Sequence, residues 1–319
     1  MRLAVFIVAI AALAGCGGDG EIGSTSDDEE GSATAIKVQE TAGMPSAFVG
    51  FGIEQGIFTD HGLDIDLQET QGGAATLPAL VNGDVQVGGS NVVSLLIAES
   101  KGLPIQAIAP GTSARGKGQE DFGALLAAPK SGITTAKDFE GGTVAVNTLD
   151  NIAEVVVKAA LEKDGADPAK VKLIEVPFPD MGAAMERGDV EGAFSIEPFV
   201  STSVDAGAEV VNYSYVTTEP DMQVGAYAVA RDFAAENADT VDAFKAAVAE
   251  TAEYVKGHEQ EFRTYLSEQA KIDPELAKSI VLPEWHEQLD LDSLQSTAEL
   301  MQQYGLVDEP VDAQGLVGR

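Results

Sequence analysis

Between Gly50 and Ser90 the pattern of apolar and polar positions changes period repeatedly, and a glycine stands at each change. Phe48, Val49 and Ile53 recur at helical spacing up to Gly56, a stop position where a residue without Cβ can turn left-handed. Leu63, Ile65 and Leu67 then alternate with Asp64, Asp66 and Gln68, which predicts a strand with one buried face. Gly72-Gly73-Ala74-Ala75 opens a second helix carrying Leu77, Leu80 and Val81, whose first N–H groups lack intrahelical partners. Gly83-Asp84 turns the chain into a short buried strand at 85–88. Helix, strand, helix, strand points to an open α/β sheet, where ligands sit at the carboxyl ends of strands.

The alternation continues to about Ala230. Ile36 and Val38 predict a first strand, and Gly43-Met44-Pro45-Ser46 leads into its helix. Ser90-Asn91 starts a third helix through Val92, Val93, Leu95 and Leu96, followed by a strand at 105–109, the loop 111–115 and a strand at 122–127. Residues 129–132 read as the linker to a second lobe. There, a strand at 143–146 precedes a helix in which Asn151 and Glu154 have capping-box spacing. A strand at 171–176, a proline-stiffened loop at 177–181, a strand at 192–196 and a helix from Glu197-Pro198 follow. A strand at 224–230 returns the chain to the first lobe.

Beyond Phe233 the pattern is almost wholly helical. Val241, Phe244, Val248, Thr251 and Val255 form one stripe expected to pack on the first lobe, and Leu291, Leu294, Ala298 and Met301 form the last. Asp273-Pro274 is a cap followed by a proline at the first helical position. Residues 79–85 resemble 184–190: helix end, Gly-Asp turn, strand, which favours two lobes of similar construction. The expected lobes are 35–127 plus 225–319, and 128–224.

The N-terminus is of another kind. Arg2 precedes an apolar run from Leu3 to Ala14, too short to span a bilayer but suited to a signal peptide at 1–15. Leu13-Ala14-Gly15-Cys16 looks like a bacterial lipobox, in which the cysteine is lipidated, and Cys16 is the only cysteine in the chain. Residues 16–34, rich in Gly, Ser, Asp and Glu, read as a flexible acidic linker. The net charge of −33, from 52 acidic and 19 basic residues, argues against nucleic acid and acidic membrane as partners.

Catalytic chemistry is sparse. His61, His258 and His286 lie far apart, and no H-E-x-x-H, C-x-x-C, Walker A or G-x-S-x-G occurs. The G-x-G-x-x-G match at Gly15, Gly17 and Gly20 has no strand before it and no helix after it. Asp64 and Asp66 share the polar side of one strand, a solvated face. Neither a metal nor a cofactor is expected. Small-residue turns at several strand ends remain, each ordinary turn chemistry alone but together offering helix-start donors along the sheet edges.

Four stretches resemble the solute-binding proteins of ABC importers in the nitrate, sulfonate and taurine group, related to thiamin-pyrimidine synthase-like domains. They are E-Q-G-I-F-T-D-H-G-L-D-I-D-L, G-G-A-A-T-L-P-A-L-V-N-G-D-V-Q-V-G, D-N-I-A-E-V-V-V-K-A-A-L-E-K-D-G and P-F-P-D-M-G-A-A-M-E-R-G-D-V-E-G-A-F-S-I-E-P-F. The resemblance implies a two-lobed periplasmic-binding-protein-like (type II) α/β fold, each lobe a mixed sheet flanked by helices. It also implies an extracytoplasmic, monomeric, non-enzymatic protein, lipid-anchored to the cell membrane, that closes on a small molecule and delivers it to a permease.

The expected binding set is Met44, Pro45 and Ser46; Gly72, Gly73 and Ala74; Ser90 and Asn91; Thr112 and Ser113; Asn147, Thr148 and Asn151; with Asp180 and Glu197. A sulfonate- or nitrate-like anion is the favoured ligand. Only Arg115 and Lys117 stand near a ligand loop, however, so a neutral heterocycle such as a thiamin-pyrimidine precursor, packed on Phe178 or Phe199, is the alternative. A pyrimidine synthase-like enzyme would require a cysteine motif that the chain lacks, and a ligand-sensing lipoprotein stays open. Cys16→Ser is expected to release the protein from membranes without unfolding it; a mutant that still sediments with membranes in high salt would exclude the lipid anchor.

Overall fold

The computed structural model describes residues 33–269 and 271–317. The signal peptide, Cys16 and nearly all of the acidic linker lie outside them. The first part of the chain forms β1 (Thr34–Thr41), α1 (Met44–Glu54), α2 (Ile57–Asp60), β2 (Leu63–Thr70), α3 (Thr76–Asn82), β3 (Val87–Asn91), α4 (Val92–Ser100), β4 (Ile105–Pro110) and the short β5 (Thr112–Ser113). A single 3-10 turn, Gly73–Ala75, leads into α3. Next come β6 (Gly123–Ala127), β7 (Thr143–Val146), α5 (Ile152–Lys163), β8 (Lys172–Glu175), α6 (Phe178–Arg187), β9 (Gly192–Ile196), α7 (Phe199–Asp205), β10 (Glu209–Asn212) and α8 (Ser214–Thr218). The chain closes with β11 (Gly225–Ala230), α9 (Arg231–Glu236), α10 (Ala238–Gly257), α11 (Glu259–Glu268), α12 (Pro274–Ser279), β12 (Glu284–Trp285), α13 (Leu291–Gln303) and α14 (Ala313–Val317).

Two five-stranded sheets have one plan. The first runs β2-β1-β3-β11-β4 and the second, in the matching direction, β8-β7-β9-β6-β10. In each, a central strand pairs in parallel with two neighbours: β1 with β2 and β3, and β7 with β8 and β9. In each, one antiparallel strand follows, β11 or β6, and it is the first strand formed after the chain arrives from the other sheet. The repeated Gly-Asp turns fit this duplication. Gly83 and Gly188 have φ of 75° and 73°, and the following N–H groups close onto Ala79 and Ala184 carbonyls at 2.9 and 3.0 Å, the same helix stop twice.

Strand β6 corrects one expectation: it belongs to the second sheet, paired with β9 and β10, so the first crossing runs through residues 114–122 and not 129–132. Its five residues are all buried, and such an unbroken apolar run carries no period to say which sheet it joins. The segment 177–181 is likewise not a loop, since α6 starts at Phe178 with Pro179 in its first turn, where a missing N–H costs nothing. The capping box is also shifted. Asn151 accepts from the Ala153 N–H at 3.2 Å, while the Glu154 carboxylate takes the Asp150 N–H at 2.9 Å.

One apolar cluster lies between the first sheet and α1, α10 and α11. Phe244, fully buried, meets Phe58 and Tyr227 with ring centroids 5.7 and 5.4 Å away. Helix α13 does not serve the first lobe alone. Its buried Leu294, Ala298 and Met301 join the cluster that includes α4 and α5, and Gln303 and Tyr304 both donate to Glu162 of α5 at 2.8 Å. Leu291 of the same stripe is exposed. Phe244→Ala is expected to cost about 3–5 kcal/mol in urea unfolding with the fold retained; a loss under about 1 kcal/mol would show that this aromatic cluster does not anchor the first sheet.

Candidate functional site

The parallel strands end on a common edge in each sheet, and the two edges face one another across a cleft. Thr41, Gly72, Asn91 and Gly111 follow or end β1, β2, β3 and β4; Asn147, Phe178 and Ile196 follow or end β7, β8 and β9. The antiparallel strands contribute their starts, Gly225 of β11 and Phe122 just before β6. The cavity is therefore built mainly from strand ends of both lobes and the helix starts that follow them, with Tyr215 of α8, where α/β sheets place ligands.

Eight of the expected residues line it: Pro45, Gly72, Gly73, Ser90, Asn91, Thr112, Asn147 and Asn151. Asn91 and Asn151 cap α4 and α5, accepting from the Ser94 and Ala153 N–H groups at 2.9 and 3.2 Å. The Asn147 side chain has no hydrogen-bond partner among the described residues. A Cβ placed on Gly72 would stand 3.2 Å from its Nδ2, so the two lobes meet at this point. Gly73 has a different constraint: a Cβ there would lie 2.6 Å from Ser90 Cα and 2.7 Å from the Asn91 N, so only glycine lets this turn pack on the end of β3.

The structure places the other seven elsewhere. Met44 is fully buried in the first-lobe core. Ser46 donates to Glu69 at 2.7 Å and faces a second groove with Glu69 and Phe199, and Ala74 lies on a third with Leu77. Ser113 is enclosed in β5, and Thr148 accepts from the Asn151 amide, its Oγ1 3.8 Å from where a Cβ on Gly72 would stand. Asp180 is exposed on α6. Glu197 is buried and takes donors from Ser201 and from the Val281 N–H at 3.2 Å, and burial raises its pKa.

Arg115 points away, toward Glu284 at 3.8 Å, in a separate groove with Lys256 and Arg263. Among the described residues no lysine, arginine or histidine lines this cavity, whereas Lys271 lines the second groove with Ser46, Glu69 and Phe199.

Among the described residues the one carboxyl that lines the strand-end cavity is Glu40, which is absent from the expected set. Glu40 is 4% exposed, its Oε1 takes the Thr41 N–H at 2.7 Å, and the Tyr227 phenol donates to it. Burial pushes its pKa up to about 8. The signal was present: Glu40 follows Ile36 and Val38 at strand period, a polar residue on a buried face. Phe122, Ile152, Phe178, Ile196 and Tyr215 supply apolar wall; Phe122 and Tyr215 pack with ring centroids 5.1 Å apart. Among the described residues no cluster of His, Cys, Asp and Glu is arranged to hold a metal.

Two lobes of matching mixed sheets around a cleft of strand ends define the periplasmic-binding-protein class of α/β fold. The NMT1/THI5-like family model matches residues 46–262, and the chain belongs to that family. It is 27% identical over 185 residues to the taurine-binding periplasmic protein of Escherichia coli, covering 58% of this chain and 55% of that one. It is 22% identical over 187 residues to the formylaminopyrimidine-binding protein of Halalkalibacterium halodurans, covering 59% and 53%. The chain thus spans about half the length of the curated relatives it matches. The alkanesulfonate-binding protein SsuA of Xanthomonas axonopodis, solved with MOPS bound, superimposes with a TM-score of 0.74 at 15% identity, covering 88% of this chain and 96% of that one.

Glu40 makes stability depend on pH in a definite direction. The folded, empty protein holds this proton up to about pH 8, whereas the unfolded chain releases it near 4.5. Stability from this group is complete below the lower value and falls as pH rises through the upper, by on the order of 5 kcal/mol. Glu40→Gln is expected to match wild type near pH 5 and to exceed it near pH 9 in urea unfolding. Parallel pH profiles for the two proteins would show that the carboxyl is not buried as described.

Proposed function

We propose that the protein is the solute-binding subunit of an ABC importer, capturing a small molecule between its lobes and handing it to a permease. The observation that carries this reading is the cleft itself, lined from both sheets by strand ends and helix starts. Membership of a family whose relatives are named as taurine- and formylaminopyrimidine-binding proteins supports it. The reading places a monomer outside the cytoplasmic membrane, tethered through Cys16 and the acidic linker. It needs no enzymatic step; a pyrimidine synthase-like activity has no cysteine in the chain beyond Cys16 to draw on.

The lobes in this reading hinge where the chain crosses, at 114–122 and at the segment between α8 and β11. Backbone pairing ties the two crossings together, the Ala114 N–H donating to the Met222 carbonyl at 2.8 Å, while Asp121 holds the first crossing to α8 by accepting from the Val216 N–H at 3.2 Å. Contact with the ligand comes from Pro45, Gly72, Gly73, Ser90, Asn91, Thr112, Asn147 and Asn151, together with Glu40. A ligand oxygen is accommodated by the N-terminal ends of α4 and α5 and by the unpartnered Asn147 amide. A bare sulfonate or nitrate finds no cation in the strand-end cavity, among the described residues, which weighs against the simple-anion expectation there and toward a ligand that also carries donors.

Gly72→Val tests the reading, because its side chain would stand between Gly72 and Asn147 and hold the lobes apart. In calorimetric titrations with the solutes that stabilise wild type in a thermal-shift screen, it is expected to cost about 1–3 kcal/mol of binding. Wild type should also contract in small-angle scattering when the solute is added. Unchanged affinity in folded Gly72→Val would place the solute elsewhere.

A further inference from the structure

We propose that Glu40 is the specificity-determining residue of this cleft, and that the solute carries a protonated amine which its carboxylate receives. The inference rests on the cleft being the capture site. Glu40 ends the inward face of β1, so the chain directs a carboxyl to a place where Ile36 and Val38 would predict an apolar side chain. The sheet makes room for it: a Cβ on Gly89 of β3 would fall 1.8 Å from Oε2, so any side chain there would displace the carboxyl from this position.

The groups that face the carboxyl are the Thr41 amide, the Tyr227 phenol and the Gly89 backbone. None is charged at neutral pH, burial raises the phenol's pKa well above its ordinary value, and among the described residues no lysine, arginine or histidine lines the cavity. A carboxylate offers about four acceptor positions, and the Thr41 and Tyr227 bonds occupy about two of them. The remaining capacity and the missing positive charge describe one complement, an ammonium group.

In the empty cleft the desolvated carboxyl keeps its proton at neutral pH. On binding, the proton passes to solvent, the ligand keeps its own, and the charges pair: carboxylic acid plus free ammonium gives bound carboxylate-ammonium plus one released proton. The rest of the molecule extends toward Asn147, Asn151 and Phe178. A nitrate or an alkanesulfonate without an amine brings neither donor nor positive charge to Glu40.

Matched probes test this by calorimetry near neutral pH: taurine against ethanesulfonate, β-alanine against propionate, and benzylamine against benzyl alcohol. At least one amine should bind wild type about ten-fold or more tightly than its partner, and Glu40→Gln should erase that preference. Its binding heat should vary between buffers of different ionisation enthalpy, reporting the released proton. Equal binding of the two members in every pair, an unchanged preference in Glu40→Gln, or no binding by any amine would overturn the proposal. Were Glu40→Gln not to fold, the pair ratios and buffer dependence of wild type decide alone. If Gly72→Val weakens both members of a pair that wild type binds equally, the cleft stands as the capture site and the role of Glu40 falls. If a bound probe is indifferent to both substitutions, the capture site itself is wrong.

Discussion

Parallel pairing imposes the constraint from which the cleft follows. When β1, β2, β3 and β4 point one way, every turn from strand to helix falls on one edge of the sheet, and the same holds for β7, β8 and β9. Each edge gathers helix starts whose N–H groups have no intrahelical partner. Closing the two edges on one another is what the crossings accomplish. A chain that left one lobe from the far edge would open its cleft to the wrong side. The antiparallel strands solve this by starting at the cleft: β6 and β11 each receive the chain from the other lobe at that edge.

Glycines set how closely these parts approach, for two separate reasons. At Gly83 and Gly188 the backbone is left-handed and the residue stops a helix. At Gly73 and Gly89 the conformation is ordinary, but a methyl group would strike the Ser90 backbone or the Glu40 carboxyl. The first kind fixes lobe architecture and the second fixes the site. A glycine-rich turn near a ligand therefore does more than expose N–H groups; it also lets the supporting strand sit directly behind them.

The period of the apolar pattern made the α/β alternation legible, and the small-residue turns marked several of the strand ends that line the cavity. Eight expected residues reach the cavity because each sits at a strand end or at the helix start that follows it, places that sequence order reveals. The other seven do not line this cavity, three of them for reasons of side-chain direction. Met44, Ser113 and Glu197 adjoin the correct turns, yet one step along a strand or helix start turns a side chain into the core. β6 was misassigned because a fully apolar strand records no partner. Glu40 was missed although its parity with Ile36 and Val38 exposes it, since alternation is usually read for apolar residues and a charged one on the buried face breaks the pattern.

The acidity of the chain bears on selectivity less than its size suggests. A net charge of −33 disfavours anions and favours cations at long range. At physiological salt, however, that field decays over about 8 Å, so it biases encounter and not the bound state. Discrimination must then come from groups that water and ions do not screen. In the cleft these are neutral donors on one side and a single desolvated carboxyl on the other. A buried carboxyl without an opposite charge beside it costs stability as pH rises toward its raised pKa, and the fold keeps Glu40 nonetheless. Such a cost is offset when a ligand supplies the opposite charge, because the interaction is then made out of water, where it is strongest. The same carboxyl that burdens the empty protein is in that case the source of its preference.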